Sequence, residues 1–267
     1  MKRHDYNVPE DLWKIVEPIL PAEEMRPQGG RPPVPSYRIF GGVLYRLRTG
    51  CQWDAVPRHF GASSTLQRRF QQWSEAGLMD KIFEAALDFY DDLRGIGREW
   101  MSMDASNVKA PKGGDATGPN PTDRAKSGSK RHVVTDSRGV PVAVNVSAAN
   151  VADCRMVDET LEALPGNFFA GGNAAVNLCM DKAYDSRKVE LHVRSRGIVP
   201  HIRRRGEPPL SGKYRGKARR WVVERCNSWH NNFRGLKTRW ERSSVNYRAL
   251  VLLGSALIAV HNAVGPI

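Results

Sequence analysis

The sequence predicts an α/β fold in which a mixed sheet follows an all-helical N-terminal region. Apolar residues recur at helical spacing through the first 95 residues, and from about residue 100 short alternating strands and helices replace that pattern. The expected order in the second part is β-β-β-α-β-α-β-α. A hairpin followed by βαβ crossovers gives a sheet with parallel and antiparallel strands and helices on both faces.

Two domains are expected, a helical domain over residues 1–95 and an α/β domain over residues 96–267, since the chain of 267 residues is long enough for one large core or two smaller ones. Residues 9–20 predict a short helix. Residues 21–35 then contain five prolines and predict a linker or an extended arm. Arg31 within it could enter a DNA minor groove, although a solvated linker is the commoner role.

The next segments resemble a helix-turn-helix. An amphipathic helix is predicted at residues 36–49, a short helix at 54–60, a turn at 61–63, and a second helix at 64–76 capped by Ser63 or Ser64. Arg68, Arg69 and Gln72 lie on the outer face of that second helix, where they could contact base edges and phosphates. Many helical domains share this pattern without binding DNA, so both interpretations stay open. A further helix is predicted at 78–93.

The α/β part begins with a strand at residues 100–108, followed by a loop rich in Gly, Pro and Lys that extends to residue 130. Two strands joined by a tight turn are predicted next, at 132–136 and 140–147. The remaining predicted elements are a helix at 152–164, a strand at 176–180, a helix at 186–195, a strand at 198–202, and helices at 219–239 and 246–260.

Charge indicates the class of partner. The chain has 41 lysines and arginines against 28 aspartates and glutamates, a formal charge of +13 and a pI near 9.9. An excess spread through the whole chain favours a polyanion, with nucleic acid ahead of an acidic membrane. A passive basic protein would share the charge but not the seven tryptophans and the long periodic segments.

Other features point to a cytoplasmic protein. The longest apolar stretch, residues 249–260, is shorter than the roughly 18 to 20 residues that a membrane helix needs, and residues 1–10 have no signal-peptide pattern. Cys51, Cys154, Cys179 and Cys226 are widely separated. This spacing predicts reduced thiols and argues against a zinc site or a disulfide framework.

The helix at 219–239 has two different faces. At 100° per residue its apolar face carries Val222, Cys226, Trp229, Phe233 and Leu236. The opposite face carries Lys217, Arg220, Glu224, Asn227 and Asn231, groups that suit a phosphate or a metal ion. Glu224 is the only acid between residues 219 and 239. A simple surface pair of Glu224 with Arg220, worth about 0.3 to 0.5 kcal/mol, explains the helix alone equally well.

Two aspartates favour the chemical interpretation. Asp104 lies within the first predicted strand and Asp181 ends the strand at 176–180, at the sheet edge where ligands bind in α/β proteins. For a single aspartate at a strand end an N-cap is the commoner role, and Asp153 and Asp185 suit that role better.

Converging carboxylates repel one another unless a hard cation joins them, which indicates Mg²⁺ or Mn²⁺. Two such ions roughly 3.5 to 4 Å apart can activate a water or a 3′-hydroxyl and stabilise the leaving oxygen of a phosphodiester. The cations expected to hold the DNA backbone are Lys130, Lys182, Arg220 and Arg225.

Several motifs, in order, resemble bacterial insertion-sequence transposases of the DDE type, in the branch built around insertion sequence five within the insertion-sequence-four/five superfamily. The similarity extends over nearly the whole chain. The motifs are Gly30–Pro32, Arg48–Trp53 with Val56-Pro57, Trp100–Asp104, Lys109–Gly114, Thr117–Arg124, Lys126–Lys130, Asp181–Ser186 and Arg220–Arg225.

This resemblance implies an RNase H-like core in which Asp104, Asp181 and Glu224 bind two divalent metals. It also implies a helical region that recognises terminal inverted repeats, and a homodimer on double-stranded DNA. Arg220 matches the family's arginine before the glutamate. The sequence departs from the family at four positions: Lys217 replaces a tyrosine, Asn231 a basic residue, and Ala105 and Ala183 glycines. None of these departures removes an acid.

Three functions remain to be distinguished. The first is a transposase that binds inverted-repeat ends, cleaves phosphodiesters and joins a freed 3′-hydroxyl to target DNA. The second is a general nuclease of the same fold, which would need no specific ends. The third is a DNA-binding regulator whose acids are structural. The N-terminal helices are compatible with all three functions. A convergence of Asp104, Asp181 and Glu224 is expected only for the two enzymes.

Overall fold

The computed structural model describes residues 8–23, 29, 32–166, 168–169, 175–202 and 221–265. The predicted arm around Arg31, together with Lys217 and Arg220, lies outside these residues. All four cysteines are free.

The N-terminal part is helical, as the apolar periodicity predicts. Its buried leucines, phenylalanines and tryptophan repeat every three or four residues, so each helix places one face in the core. The helices are α1 (Glu10–Val16), α2 (Ser36–Thr49), α3 (Ser63–Glu75) and α4 (Leu78–Arg94). Gly50 ends α2 in the left-handed conformation, with φ 69°.

The predicted first helix of the helix-turn-helix is wrong. Two single 3₁₀ turns, Trp53–Ala55 and Arg58–Phe60, occupy the segment instead. Val56 between them is extended because it precedes Pro57, and a residue before proline avoids the helical region. The predicted serine cap is also wrong: Ala62 precedes α3 and no side chain caps that helix.

The second part contains a mixed sheet, which confirms the predicted fold class. Strand β1 lies in the middle, antiparallel to β3 on one side and parallel to β5 on the other; β3 also pairs with β2 and β4, and β5 with β6. The strands are β1 (Trp100–Lys109), β2 (Gly118–Pro119), β3 (Ser127–Thr135), β4 (Pro141–Ala148), β5 (Val176–Met180) and β6 (Ile198–Ile202).

Five helices complete this part among the residues that the structure describes. They are α5 (Val157–Glu162), α6 (Arg187–Ser195), α7 (Trp221–Asn232), α8 (Arg234–Lys237) and α9 (Ser244–Val264). The single helix expected over 219–239 is divided at Phe233, which has an extended backbone with φ −80° and ψ 104°. The helix expected at 152–164 is shorter than predicted, because a 3₁₀ turn at Asp153–Arg155 precedes α5.

The turn between β3 and β4 joins the sheet to the helical part through Asp136, which is fully buried. Its carboxylate accepts hydrogen bonds from the Tyr90 hydroxyl at 3.0 Å and from the backbone N–H groups of Arg138 and Val140 at 2.9 Å each. Burial, followed by the negative charge of Asp136, raises the pKa of Tyr90 to about 12. The phenol therefore remains a donor at neutral pH.

Helix α9 forms a core shared by both parts. It packs on α4, α3 and α1 and also on β4 and α7, and one continuous group of buried side chains runs from Val8 to Ala263. Within the described part of the chain, α9 is the one helix long and apolar enough to cross a membrane. However, 78% of its most apolar stretch is buried inside the protein, as expected for a core helix. It is longer than the apolar stretch at 249–260 that the sequence suggests.

Candidate active site

Asp104 and Asp181 lie level with each other on neighbouring strands. The parallel register pairs Trp100 with Asn177 and Ser102 with Cys179, so two residues further along, Asp104 of β1 comes opposite Asp181 after β5. Paired residues of parallel strands project to the same face of a sheet. Both aspartates are half-buried. The topology therefore brings together two acids that are 77 residues apart in the sequence.

Tyr184 provides a second sign that the two aspartates are close together. Its hydroxyl is fully buried and has no hydrogen-bond partner among the described residues. Burial, and then the negative charges of Asp153, Asp104 and Asp181, raise the pKa of Tyr184 well above its usual value. A protonated phenol without a partner, within electrostatic range of three carboxylates, is suited to donate a hydrogen bond at this site. The sequence alone predicts no role for Tyr184.

Helix α7 lies against β1 and β3 with its polar face toward Asp104. Asn227 donates through Nδ2 to Oδ2 of Asp104 at 3.3 Å. Val222, Cys226 and Leu236 are buried as predicted, and Val223 and His230 are buried as well. His230 lies 2.9 Å from the Ser255 hydroxyl, which connects α7 to α9.

Arg131 of β3 supports the same helix from below. Its side chain is buried, donates through Nη2 to Oδ1 of Asn231 at 2.9 Å, and donates through Nε to the Ser106 hydroxyl at 3.3 Å. Because Ser106 pairs with Arg131 in the β1–β3 register, this guanidinium lies on the same face as Asp104. No sequence pattern singles out Arg131, which precedes the strand predicted at 132–136. Asn231, whose role the sequence left open, holds α7 on the sheet.

Glu224 is exposed and lies one helical turn before Asn227 on the polar face of α7. The continued register thus brings Asp104 opposite Asp181, and α7, which carries Glu224, contacts Asp104 through Asn227. Across the described ranges, no group of three or more His, Cys, Asp and Glu side chains is close enough to hold a metal ion.

The N-cap role expected for Asp153 and Asp185 belongs to other residues. Asp181 is the N-cap: its Oδ1 accepts from the backbone N–H of Ala183 at 2.7 Å and begins the 3₁₀ turn Lys182–Tyr184. Asp153 instead forms an ion pair with Lys130 at 2.8 Å, with side chains only 11% (Lys130) and 20% (Asp153) exposed. Ser186, not Asp185, precedes α6. Lys130 also donates to the Val151 carbonyl, so its ammonium is directed into the protein and is not available to a phosphate.

The other predicted DNA contacts have different environments. Arg68 and Gln72 are exposed on α3, whereas Arg69 donates to the Ser36 hydroxyl at 3.0 Å and its guanidinium lies 5.4 Å from the Trp73 ring. Lys182 is exposed beside Asp181. Arg225 lies between the rings of Trp221 and Trp229, at 4.9 Å from each, and donates to the Arg138 carbonyl.

His132, on the face of the sheet that carries Lys130, should make stability depend on pH. Burial, despite the nearby Asp153 carboxylate, lowers the pKa of His132 from 6.5 to about 4. As the pH falls below 6.5, His132 therefore becomes protonated in the unfolded chain, whereas in the folded protein it becomes protonated only near pH 4. The free energy of unfolding should therefore fall as the pH is lowered from 6.5 to about 4, by up to about 3 kcal/mol at 1.36 kcal/mol per pH unit. Urea unfolding at several pH values would measure this loss.

Substitution His132→Gln should remove this contribution and flatten the pH dependence. His59→Gln, at an exposed position, is the matched control and should leave the pH dependence unchanged. An equal slope in wild type and His132→Gln would contradict the assignment.

Comparison with known families agrees with this arrangement. The family described as "Transposase DDE domain" matches residues 97–259, and the family described as "Putative transposase of IS4/5 family" matches residues 8–83. The first match covers most of the chain. This protein belongs to the DDE transposases. Within them it is an insertion-sequence transposase of the IS4/5 family, which confirms the resemblance seen in the motifs.

Individual relatives support the assignment. The chain is 40% identical over 147 residues to a putative transposase for insertion sequence element IS402 from Burkholderia cepacia. The aligned residues make up 53% of this chain and 67% of the relative. It is 30% identical over 118 residues to an uncharacterized 16.2 kDa protein of the same element, which is 43% of this chain and 80% of that protein.

Among solved structures, the chain is similar to the Mos1 mariner paired end complex with Mn. The TM-score is 0.28 and the identity 11%, over 96% of this chain and 88% of that one. Values this low support no conclusion about fold or mechanism.

Proposed function

We propose that this transposase binds the terminal inverted repeats of an insertion sequence, cleaves phosphodiesters at those ends and transfers the freed 3′-hydroxyl to target DNA. The observation that carries the proposal is the β1–β5 register: extended by two residues beyond the pair Ser102 and Cys179, it has Asp104 opposite Asp181. A sheet with two acids at this position, in a chain of charge +13, is suited to act on a polyanion.

We further propose that Asp104, Asp181 and Glu224 hold two divalent ions, Mg²⁺ or Mn²⁺. Carboxylate oxygens are the donors that these ions prefer, and the register of the two aspartates fits such a pair. When bound, the ions would make water or a 3′-hydroxyl a better nucleophile and stabilise the leaving oxygen. Glu224 has to approach the aspartates from α7 to complete the set.

The protein's own groups around the acids support this function. Asn227 fixes the orientation of the Asp104 carboxylate, and Arg131 with Asn231 keeps α7 on the sheet. The Tyr184 hydroxyl is available to orient an aspartate or a water molecule beside the aspartates. Lys182, exposed beside Asp181, is a candidate phosphate contact, and Lys217, Arg220 and Arg225 are further candidates from the sequence.

We also propose that the sheet is RNase H-like. The strand order, with three antiparallel strands followed by two parallel ones, supports that assignment. The helical region 1–95 is proposed as the part that recognises the ends, with Arg68 and Gln72 of α3 facing the DNA. One family match ends at residue 83 and the other begins at residue 97, and the proposed domain boundary at 95 falls in the gap between them. Two ends must be processed together, so a homodimer on chromosomal DNA in the cytoplasm is the expected working state.

Cleavage of defined DNA tests the proposal. The protein should be incubated with Mg²⁺ and a duplex carrying the inverted repeat that flanks its coding region, beside a duplex of the same composition in random order. Nicking at the repeat end alone, dependent on Mg²⁺, supports the transposase. Equal cutting of both duplexes would favour a general nuclease, and binding without cutting would favour a regulator.

A further inference from the structure

One loop of the α/β part has a strained and tightly held backbone. The described residues contain three non-glycine residues with positive φ, and all three lie in the loop between β1 and β3: Ala116 at 48°, Arg124 at 51° and Ala125 at 57°. Such conformations cost of the order of a kcal/mol or more each and persist only where the surrounding structure enforces them. Strain concentrated in a single loop suggests that the loop's shape has a function.

Arg239, in the segment between α8 and α9, holds this loop in place. Its side chain is fully buried. Through Nη1 it donates to the Ala116 carbonyl at 3.1 Å and to the Ser129 hydroxyl at 2.7 Å. Through Nε and Nη2 it donates to the carbonyls of Glu241 at 2.8 Å and Arg242 at 2.9 Å. One guanidinium thus fixes the loop and the segment together.

The two backbones also approach each other closely. A Cβ added at Gly114 would lie 2.0 Å from the Arg242 carbonyl oxygen, and Gly114 has φ 117°, so only glycine fits there. Asp115 accepts from the backbone N–H of Ser244 at 2.9 Å. The loop at 110–126 and the segment at 238–243 therefore form one rigid surface.

This surface is basic and carries an exposed aromatic ring. Lys112, Lys126 and Arg242 are exposed on it, and none of them forms an ion pair within the described part of the chain. The acids nearby are already matched, since Asp115 pairs with Arg239 and Asp123 with Lys109. Trp240 is 43% exposed, and the Lys112 ammonium lies 6.0 Å from its ring. Exposing so large an apolar ring beside uncompensated cations is typical of surfaces that bind single-stranded nucleic acid.

The position of this surface connects it to the candidate active site. Arg239 donates through its backbone N–H to the carbonyl of Lys109, at the end of β1, five residues beyond Asp104. At about 3.3 Å per residue, the separation along the strand is roughly 17 Å. Because a B-form duplex rises about 3.4 Å along its axis for each phosphate of one strand, duplex DNA held at Asp104 and lying along the strand direction reaches this surface about five base pairs away.

We infer that Lys112, Lys126, Trp240 and Arg242, here called the Trp240 surface, bind DNA beside the cleavage position, with the three cations on phosphates and the Trp240 ring stacked on an unpaired base. The inference rests on the proposed function because it takes DNA as the substrate. It adds a second DNA-binding surface, separate from α3, that distinguishes strand-separated DNA from intact duplex.

DNA binding measured by fluorescence anisotropy tests this inference. The assay contains EDTA, so that no divalent metal contributes, and compares one duplex with the same duplex carrying a short unpaired segment. Trp240→Ala should weaken binding to the unpaired DNA by about 5- to 150-fold, the range for losing one stacked aromatic, and leave duplex binding unchanged. Trp240→Phe, which keeps a stacking ring, should retain most of the affinity.

The cations are tested on the intact duplex by salt titration. The double variant Lys112→Ala/Arg242→Ala should lower the slope of log K against log salt by about 1.8, or 0.9 for each lost phosphate contact. Arg187→Ala/Lys188→Ala removes two charges from exposed positions on α6, beside β6, and is the matched control with an unchanged slope. An unchanged slope in the first variant, or equal effects of Trp240→Ala on both DNAs, would overturn the inference.

Two further measurements separate this inference from other failures. Each variant should unfold at the same temperature as wild type. If Trp240→Ala unfolds at a lower temperature, the inference is tested by the other two variants: Trp240→Phe should retain its affinity for the unpaired DNA, and the double cation variant should show the lowered salt slope. Because binding is measured in EDTA, it does not require a metal held by the acids. Absence of cleavage together with the expected binding losses would refute the proposed chemistry and leave the Trp240 surface intact.

Discussion

Substitution of Asp104 by Asn should reduce Mg²⁺-dependent cleavage of end-containing DNA by about 1000-fold or more. The amide keeps the shape and the Asn227 contact but lacks the charge that would hold a divalent ion. Loss of ~4 kcal/mol of transition-state stabilisation, the scale of metal assistance, corresponds to that factor. Single-turnover cleavage assays under saturating DNA would measure the change directly.

Binding distinguishes chemistry from folding in this experiment. Asp104→Asn should bind the end DNA in EDTA as well as wild type does and should unfold at the same temperature. Asp88→Asn, at an exposed position on α4, removes an equal charge away from the site and should leave cleavage intact. Cleavage by Asp104→Asn at a rate near that of wild type would exclude the proposed role of Asp104.

The second large effect is expected on stability, from the buried ion pair of Arg46 and Glu241. Both side chains are 6% exposed, and the pair joins α2 of the helical part to the segment that precedes α9. The Arg46 guanidinium also lies 4.6 Å from the centre of the Trp53 ring. Replacing Glu241 by Gln leaves the cation buried without its counter-charge, which typically costs 3 to 5 kcal/mol. Urea unfolding should show a loss of about that size.

A double substitution serves as the matched control for this pair. In Arg46→Met/Glu241→Leu both charges are replaced by apolar side chains of similar size, a change that is often close to neutral. The double variant should therefore be more stable than Glu241→Gln. If Glu241→Gln unfolds at the wild-type urea concentration, the pair contributes nothing and the assignment is wrong.

The sequence predicts best those elements that have a single strong period. Strand β5 and helix α6 are found within a residue of the predicted bounds, because their apolar residues alternate or repeat without interruption. Strand β3 begins at Ser127 and not at residue 132, because Ser127–Lys130 carry no apolar alternation and become a strand only by pairing with β1 and β4. A segment that becomes a strand through hydrogen bonds to distant strands need not show an alternating apolar pattern in its own sequence.

The candidate site is predictable in part for the same reason. Asp104 and Asp181 stand out because an acid at the end of an apolar strand has no packing role, and the strand order brings them level. Tyr184 and Arg131 could not be found in this way. The importance of Tyr184 depends on its burial, and that of Arg131 on burial and on Asn231, which is 100 residues away in the chain. The N-cap predicted for Asp153 is wrong for the same reason, since the nearby Lys130 decides the role of Asp153.

Helix α9 has a consequence for how a cut would be positioned. A recognition region tethered by a flexible linker could cut over a range of distances from the sequence it reads. Here α9 is packed against α4 and against β4 at once, so the proposed reading helix and the acids cannot move independently. The distance between the proposed reading helix and the acids is then constant. We therefore expect a constant number of base pairs between the recognised sequence and the severed bond.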